Sequence, residues 1–398
     1  MNVKVSGAKI DGTLDAIPSK SYAHRISICN FLAGNAPTAG CVNFTSKDIA
    51  VTEECLRTLK NGGKKLDCGE SGSTLRFMLP LAAVLGGEYE FIGHGRLLAR
   101  PNQELFSVFF SRGVRAENLG DKITLSGKLS AGEYRIRGDI SSQYISGLLM
   151  ALPALDGDSE IILTTPLVSV PYVLITLEVL KSFGVEIEEK EIGYKIKGNQ
   201  KYSGNIAPEG DWSNMAAFLV LGAIAGKVAV KGLNLNSVQG DRAIMDILKS
   251  AGANVDIKGN LITVSKGALK GFTFDAKDCP DLVPVAAALA AFADGKTIVN
   301  NIERLKIKES DRVESTIATL KAFGISAESD GHSLFVHGGA VKAGVVDSFN
   351  DHRVVMAAAV LGAGVTGESV ITDARAIDKS YPTFFEDYIK VGGVQSAV

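Results

Sequence analysis

The chain predicts an α/β protein made of six βαβαββ units, three in each of two domains, and three observations carry that prediction. First, a polar start followed by an apolar run recurs at Ser19 (SKSYAHRISI), Ser71 (SGSTLRFMLP), Ser141 (SSQYISGLLM), Asp211 (DWSNMAAFLV), Pro280 (PDLVPVAAAL) and Asn350 (NDHRVVMAAA), at separations of 52, 70, 70, 69 and 70 residues. A fixed period of this size denotes one supersecondary unit used repeatedly. Second, each unit closes a further helical stretch on a glycine: Gly62, Gly113, Gly184, Gly252, Gly324 and Gly392. Third, 398 residues exceed what one core holds, so two domains are expected.

Within a unit, the polar start reads as an N-cap and the apolar run as a buried helix. That helix stops at Gly34, Gly86-Gly87, Gly157, Gly226, Asp294-Gly295 or Gly367. A β-rich run follows, such as Glu160-Ile161-Ile162-Leu163, Val228-Ala229-Val230 or Thr297-Ile298-Val299. The second helix comes next, then alternating strands, as in VRAENLGDKITLSG, VEIEEKEIGYKIKG and ANVDIKGNLITVSKG. In the first unit only nine residues separate Gly62 from Ser71, so its hairpin is shortened or absent. The last unit runs out of chain after Gly392, and the strand-like N-terminal NVKVSGAKIDGTLDA is expected to supply its final strands. That closure groups residues 1–16 with 211–398 as one discontinuous domain, into which residues 17–210 are inserted. The chain crossings fall near Ile17-Pro18 and Glu209-Gly210-Asp211.

The formal net charge of −2 argues against general nucleic-acid or membrane-surface binding, so any positive site is made locally. Five cysteines (Cys29, Cys41, Cys55, Cys68, Cys279) without CxxC pairing read as reduced thiols in a cytoplasm. The N-terminus lacks the basic flank and apolar core of a signal peptide, and the apolar runs fall short of a membrane span.

Chemistry-bearing residues collect at two places in the repeat. One is the start of the first helix, where free N–H groups and the positive dipole end suit an anion. The other is the loop before the second helix, which holds Lys47, Arg100, Ser169, Asp241-Arg242, Lys308-Glu309 and Lys379, 28 to 30 residues beyond the starts. Lys20 and Arg25 with Ser21 suit a phosphate or carboxylate, and equally a capped helix with solvated cations. In LKIKESDR, Lys308 and Arg312 are like charges at i,i+4, a repulsion that Asp311 or a bound anion offsets. Glu309 beside them is a candidate acid/base, against the plain reading of a salt-bridged helix. Arg353 opens an apolar helix and suits an anion, whereas a lone His352 reads first as structural. Asp281 reads first as an acidic cap. Arg100-Pro101, Ser141-Ser142-Gln143 and Lys379 carry weight only through their equivalence across the repeats. Metal-ligand spacing, a P-loop and GxGxxG are all missing, so no metal and no nucleotide cofactor is expected.

The repeat, together with PSKS, GSTLR, RP, SSQY, EGD, PDLVP, KESDR, NDHR and K-S-Y-P in that order, resembles the EPSP synthase family from about residue 3 to 390. The resemblance implies a two-domain inside-out α/β barrel that closes over its substrates at a double hinge. It implies transfer of the enolpyruvyl group of phosphoenolpyruvate to the 5-hydroxyl of shikimate 3-phosphate, without cofactor, by a monomer with small-molecule partners only. Carried over by position, Lys20 touches both substrates, and Ser21 and Arg25 hold the shikimate phosphate. Ser141, Ser142, Ser169 and Tyr172 bind the same substrate, with Gln143 bridging to phosphoenolpyruvate. Gly72, Arg100, Arg312, Arg353 and Lys379 hold phosphoenolpyruvate, aided by His352. Asp281 and Lys308 meet the shikimate oxygens. Glu309 and Asp281, with Lys20, are the implied catalytic groups. The pattern is broken at Glu70, where many relatives have Asn and where a carboxylate would repel phosphoenolpyruvate unless it pairs, Arg76 being one candidate partner. It is also broken at Arg304, often a substrate-contacting Asn, and at Phe77, where some relatives have Pro. UDP-N-acetylglucosamine enolpyruvyl transferase, the nearest alternative, has Lys-Asn in place of Lys20-Ser21 and a cysteine in the loop that here reads RPNQELFSVFF. A non-catalytic repeat protein binding anionic metabolites is the alternative of another class.

Overall fold

The computed structural model describes residues 1–7, 9–36 and 46–398. The chain has a two-domain α/β fold. One compact unit comprises Met1–Ser19 with Glu209–Val398, and the other Lys20–Pro208.

Among its described residues the discontinuous unit holds three four-stranded sheets of one pattern. In the clearest, the strands lie in the order Thr273–Asp275, Lys296–Asn300, Ser333–His337, Ser326–Ser329. The first two are parallel and the rest antiparallel. Parallel neighbours need a crossover, and helix Val283–Ala291 supplies it. The equivalent helices, Trp212–Ala225 and His352–Ala363, are like it buried along nearly their whole length and pack on one another. Being apolar on every side, they form the middle of the unit and leave the sheets to face water.

The N-terminal segment departs from the expectation. It does not complete one sheet but serves two. Val3–Ser6 pairs antiparallel with both Glu368–Thr372 and Val394–Ala397, completing the last repeat. Ile10–Asp15 instead runs parallel to Gly226–Lys231 and opens the sheet of the fourth. The last repeat thus keeps one hairpin strand of its own. The two chain passes are pinned by an antiparallel bridge between Pro18 and Gly210, flanked by Ser19 N–H donating to Glu209 O (2.8 Å) and Asp211 N–H to Ile17 O (2.8 Å). Ile17–Ser19, Glu209 and Gly210 therefore group with the discontinuous unit, a few residues beyond the limits read from the sequence.

The unit Lys20–Pro208 shows two such sheets among its described residues, one holding Lys65–Asp67, Gly87–Ile92, Lys122–Gly127 and Val114–Asn118, the other Glu133–Ile136, Ser159–Leu163, Gly193–Ile196 and Ile187–Lys190. Helices Gly72–Leu85 and Ser142–Ala151 pack together, with Lys20–Leu32 and Val170–Ser182 alongside. Between Gly62 and Ser71 there is one strand and no hairpin. That strand, Lys65–Asp67, pairs parallel with Gly87–Ile92 and so belongs to the next repeat's sheet. The first repeat's residues 37–45 lie outside the described set, and so does Cys41; the other four cysteines are buried free thiols. The six glycines that end the second helices all adopt φ between 73° and 97°, the left-handed turn only glycine takes freely.

Val5 is 1% exposed on a strand paired on both edges, whereas Val345 is 68% exposed. Val5→Asp buries an unpaired charge and should cost about 3 kcal/mol or more, while Val345→Asp should stay within about 0.5 kcal/mol. Urea unfolding followed through Trp212, the single tryptophan, reads this unit directly.

Candidate active site

In the unit Lys20–Pro208, the helix starts carry buried polar side chains. Ser71 caps helix Gly72–Leu85 by accepting from Thr74 N–H (3.2 Å), and Ser141 caps Ser142–Ala151 by accepting from Gln143 N–H (3.3 Å). Ser169 precedes helix Val170–Ser182 with φ of 53°, an uncommon value for a residue with a Cβ. Arg25 is 2% exposed. Its guanidinium donates to Thr176 Oγ1 (2.7 Å), Ser146 Oγ (3.3 Å), Tyr172 O (2.9 Å) and Ser21 O (2.7 Å), and lies over the Phe77 ring. Every one of these partners is neutral, and no ion pair to Arg25 appears among the described residues. Burial pulls its pKa down to about 10. A buried cation left without a counter-charge is costly, and an anionic ligand would supply one.

Lys20 donates to Asp48 Oδ2 at 2.7 Å. Asp48 was not among the sequence candidates, although it follows Lys47 in the loop position already singled out. His24 shares a hydrogen bond with Thr52 Oγ1 (2.8 Å), and Thr52, Thr74 and Ser71 continue a chain of hydroxyls. Burial first, then Lys20 and Arg25, hold the His24 pKa well below its usual value, so this ring is neutral. Gln143 bridges Arg76 and Ser73, accepting from Arg76 Nη1 (2.8 Å) and donating to Ser73 Oγ (2.9 Å). Arg76 also donates to Asn102 Oδ1 and Pro101 O, so it is fixed between the Pro101-Asn102 loop and the start of helix Ser142–Ala151. Gly72 has a steric reason. A Cβ there would lie 2.5 Å from Arg100 Nη1, so glycine leaves room for the Arg100 guanidinium on the helix start and a side chain would make it shift. Ser142 is buried beside Gln143.

The discontinuous unit gathers its candidates around Arg312, which is 1% exposed. Its Nε donates to Asp351 Oδ2 (2.9 Å), Nη1 to Asp281 Oδ1 (2.6 Å) and Nη2 to Glu309 Oε2 (2.7 Å), with a longer contact from Nη2 to Asp351 Oδ1 (3.4 Å). Burial alone would lower the Arg312 pKa, but Asp351, Glu309 and Asp281 outweigh it and keep the group charged. Asp351 was passed over in the sequence in favour of its neighbours in NDHR. It is fully buried, caps helix His352–Ala363 by accepting from Arg353 N–H (2.9 Å), and also accepts from Ser310 Oγ (3.0 Å). Arg353 Nη1 donates to Ser213 O (2.8 Å), Arg353 Nη2 lies 3.5 Å from Asp281 Oδ2, and its Nε is buried without a partner among the described residues.

Burial would raise the Asp281 carboxyl, but Arg312, Lys308 and Arg353 hold it far below the usual carboxylate range. Lys308 Nζ stands 3.8 Å from Asp281 Oδ1; burial pulls its pKa down to about 8, against the attraction of Asp281. Asp241, another buried acid, is pushed up to about 7 by burial and then by the charge of Asp281. His352 is 3% exposed beside Asp351. Lys379 Nζ donates to Asn350 O (2.6 Å), holding a turn in which Phe349 and Asn350 both have left-handed φ, at 52° and 51°. Two adjacent residues in that region store strain, which here fixes the start of the helix bearing His352 and Arg353. Among the described residues no cluster of three or more His, Cys, Asp or Glu has metal-holding geometry, and no helix is long and apolar enough to cross a membrane.

The two-domain α/β repeat is that of enolpyruvyl transferases. Over the whole chain it superposes on an EPSP synthase structure from Acinetobacter baumannii, covering all of both chains with a TM-score of 0.78 at 21% identity. It also superposes on the enolpyruvyl transferase NikO from Streptomyces tendae, covering 99% of this chain and 98% of that one with a TM-score of 0.79 at 15% identity. Residues 45–388 match the family model of EPSP synthase (3-phosphoshikimate 1-carboxyvinyltransferase). The 3-phosphoshikimate 1-carboxyvinyltransferases of Clostridium novyi (39% identical, covering 99% of this chain and 98% of that protein) and Clostridium kluyveri (40%, covering 98% and 97%) align along their full length. The chain belongs to the EPSP synthase family.

The Lys308 shift has a definite sign. Between about pH 8 and 10.5 the unfolded chain holds the Lys308 proton and the folded chain does not, so stability from this group rises with pH across that window. The stability of wild type minus that of Lys308→Met should therefore climb from pH 8 to 10.5 in urea unfolding. Parallel pH profiles would show that the lysine titrates normally.

Proposed function

We propose that this chain transfers the enolpyruvyl group of phosphoenolpyruvate to the 5-hydroxyl of shikimate 3-phosphate, releasing phosphate. The full-length match to 3-phosphoshikimate 1-carboxyvinyltransferases carries the reading. The chemistry needs no cofactor. The methylene carbon of phosphoenolpyruvate takes a proton, the 5-hydroxyl oxygen attacks C2 and loses its proton, and a tetrahedral ketal phosphate forms. Loss of phosphate and of one methyl proton then leaves the enolpyruvyl ether.

Roles divide between the units. In Lys20–Pro208, Arg25 with its neutral partners supplies a buried positive charge for the shikimate phosphate, beside Ser21 and Tyr172. Ser141, Ser142 and Ser169 sit at helix starts suited to the same substrate. Gly72 and Arg100 belong to phosphoenolpyruvate, Gln143 bridges from shikimate 3-phosphate to it, and Lys20 touches both substrates and stabilises charge developing on the leaving phosphate. In the discontinuous unit, Arg312, Arg353 and Lys379 hold phosphoenolpyruvate with His352. Glu309 moves the proton at the methylene carbon, and Asp281 takes the hydroxyl proton with Lys308 beside it. Cations fixed by protein dipoles before substrate arrives stabilise the transition state without solvent reorganisation. We read the protein as a cytoplasmic monomer, and its near-neutral net charge supports the absence of general nucleic-acid or membrane-surface binding.

Phosphate release from phosphoenolpyruvate should occur with shikimate 3-phosphate and not with UDP-N-acetylglucosamine; turnover with the sugar nucleotide alone would overturn the assignment. Glu309→Gln should lower kcat about a hundredfold or more without raising KM. Arg25→Met should raise KM for shikimate 3-phosphate on the order of a hundredfold and leave KM for phosphoenolpyruvate nearly unchanged.

A further inference from the structure

A guanidinium offers five N–H donors arranged in two forked edges, each able to grip a carboxylate or phosphate. In Arg312 both edges are occupied. Asp351 takes the Nε/Nη2 edge, and Asp281 and Glu309 divide the Nη1/Nη2 edge at 2.6 and 2.7 Å. The holders differ in access to water. Asp351 has none and is locked in place as a helix cap, whereas the side chains of Asp281 and Glu309 are 20% and 22% exposed. Within ion-pair reach, Arg312, Lys308 and Arg353 face Asp281, Glu309 and Asp351. An incoming anion therefore meets carboxylates already on the Arg312 donors and must compete with them for the guanidinium.

We propose that Asp281 and Glu309 occupy Arg312 as internal stand-ins for the substrate anion, and that phosphoenolpyruvate frees both acids by displacing them from Nη1 and Nη2 while Asp351 stays bound. The inference rests on the functional reading above and adds to it a coupling between binding and chemistry. Asp281 clamped by Arg312 is a feeble base, its carboxyl held far below the ordinary range. Once Arg312 turns to the incoming anion, Asp281 loses its nearest cation and its basicity rises. Glu309, released from Nη2, becomes able to carry a proton to carbon. The proton-transfer groups are thereby silenced until there is a donor molecule to act on.

The test is a crystal structure of the full chain with phosphoenolpyruvate, joined to calorimetric titration of phosphoenolpyruvate into wild type, Asp281→Asn and Glu309→Gln. We expect phosphoenolpyruvate oxygens on Nη1 and Nη2, Asp281 and Glu309 beyond hydrogen-bond reach of Arg312, and Asp351 unmoved. Both variants, having lost a charged competitor, should bind phosphoenolpyruvate about tenfold more tightly. Arg312 keeping both carboxylates in the complex, or equal or weaker binding by the variants, would overturn the proposal. Turnover of shikimate 3-phosphate by wild type is scored separately: its loss sinks the functional reading, and its presence with an unchanged Arg312 cluster sinks only the displacement.

Discussion

The pairing of Arg312 with Asp351, two charges shut away from water, is the constraint on which the discontinuous unit is organised. Breaking a buried pair by removing one partner typically costs about 3–5 kcal/mol, because the survivor stays buried and unmatched. The pair therefore dictates where its neighbours go. Asp351 caps the helix His352–Ala363 and reaches back to Ser310 and Arg312 at the start of Arg312–Ala322. Arg312 carries the tie to Asp281, just ahead of helix Val283–Ala291, and Arg353 extends it to Ser213 and Asn214 on Trp212–Ala225. Four helix starts are thus held by one electrostatic network rather than by loop packing.

The unit Lys20–Pro208 solves a similar problem by other means. Arg25 is as deeply buried as Arg312 but is satisfied by hydroxyls and carbonyls instead of carboxylates. Neutral acceptors fulfil the hydrogen-bonding demand of the guanidinium and leave its charge uncancelled. One unit thus presents cations already matched by acids, the other a cation awaiting a match. The first arrangement suits proton transfer, where acids must be present, and the second suits retention of a phosphate.

How far the sequence revealed this depends on the kind of signal. The repeat was legible because caps and glycines obey local rules; the left-handed φ of Gly62 and its five counterparts is a demand on that residue alone. The destination of the N-terminal strands was not, because nothing within Ile10–Asp15 says that its partner lies at Gly226–Lys231, over two hundred residues away. Of the motif residues named in advance, Asp281 and Glu309 touch Arg312, Lys308 and Arg353 stand beside Asp281, and Ser21 and Tyr172 touch Arg25. The supporting acids Asp48 and Asp351 were missed for one reason. An aspartate at a helix start or in a loop has an adequate local explanation as a cap, and only distance to a distant cation distinguishes its second duty. Asp351 performs both at once.

That double duty follows from the fold itself. A helix buried on all sides, as Val283–Ala291 and His352–Ala363 are, has no lateral face on which polar chemistry is tolerable. Its polar groups must lie at its ends, where the free N–H groups already require acceptors. Capping residues and reactive residues then compete for the same few positions, and the economical solution is for one side chain to be both. The strained turn at Phe349 and Asn350, tied down by Lys379, shows the cost of this crowding: backbone that would relax elsewhere is held where it aims Asp351, His352 and Arg353 in succession. Repetition multiplies such helix starts, and divergence among the copies decides which of them only caps and which also carries charge.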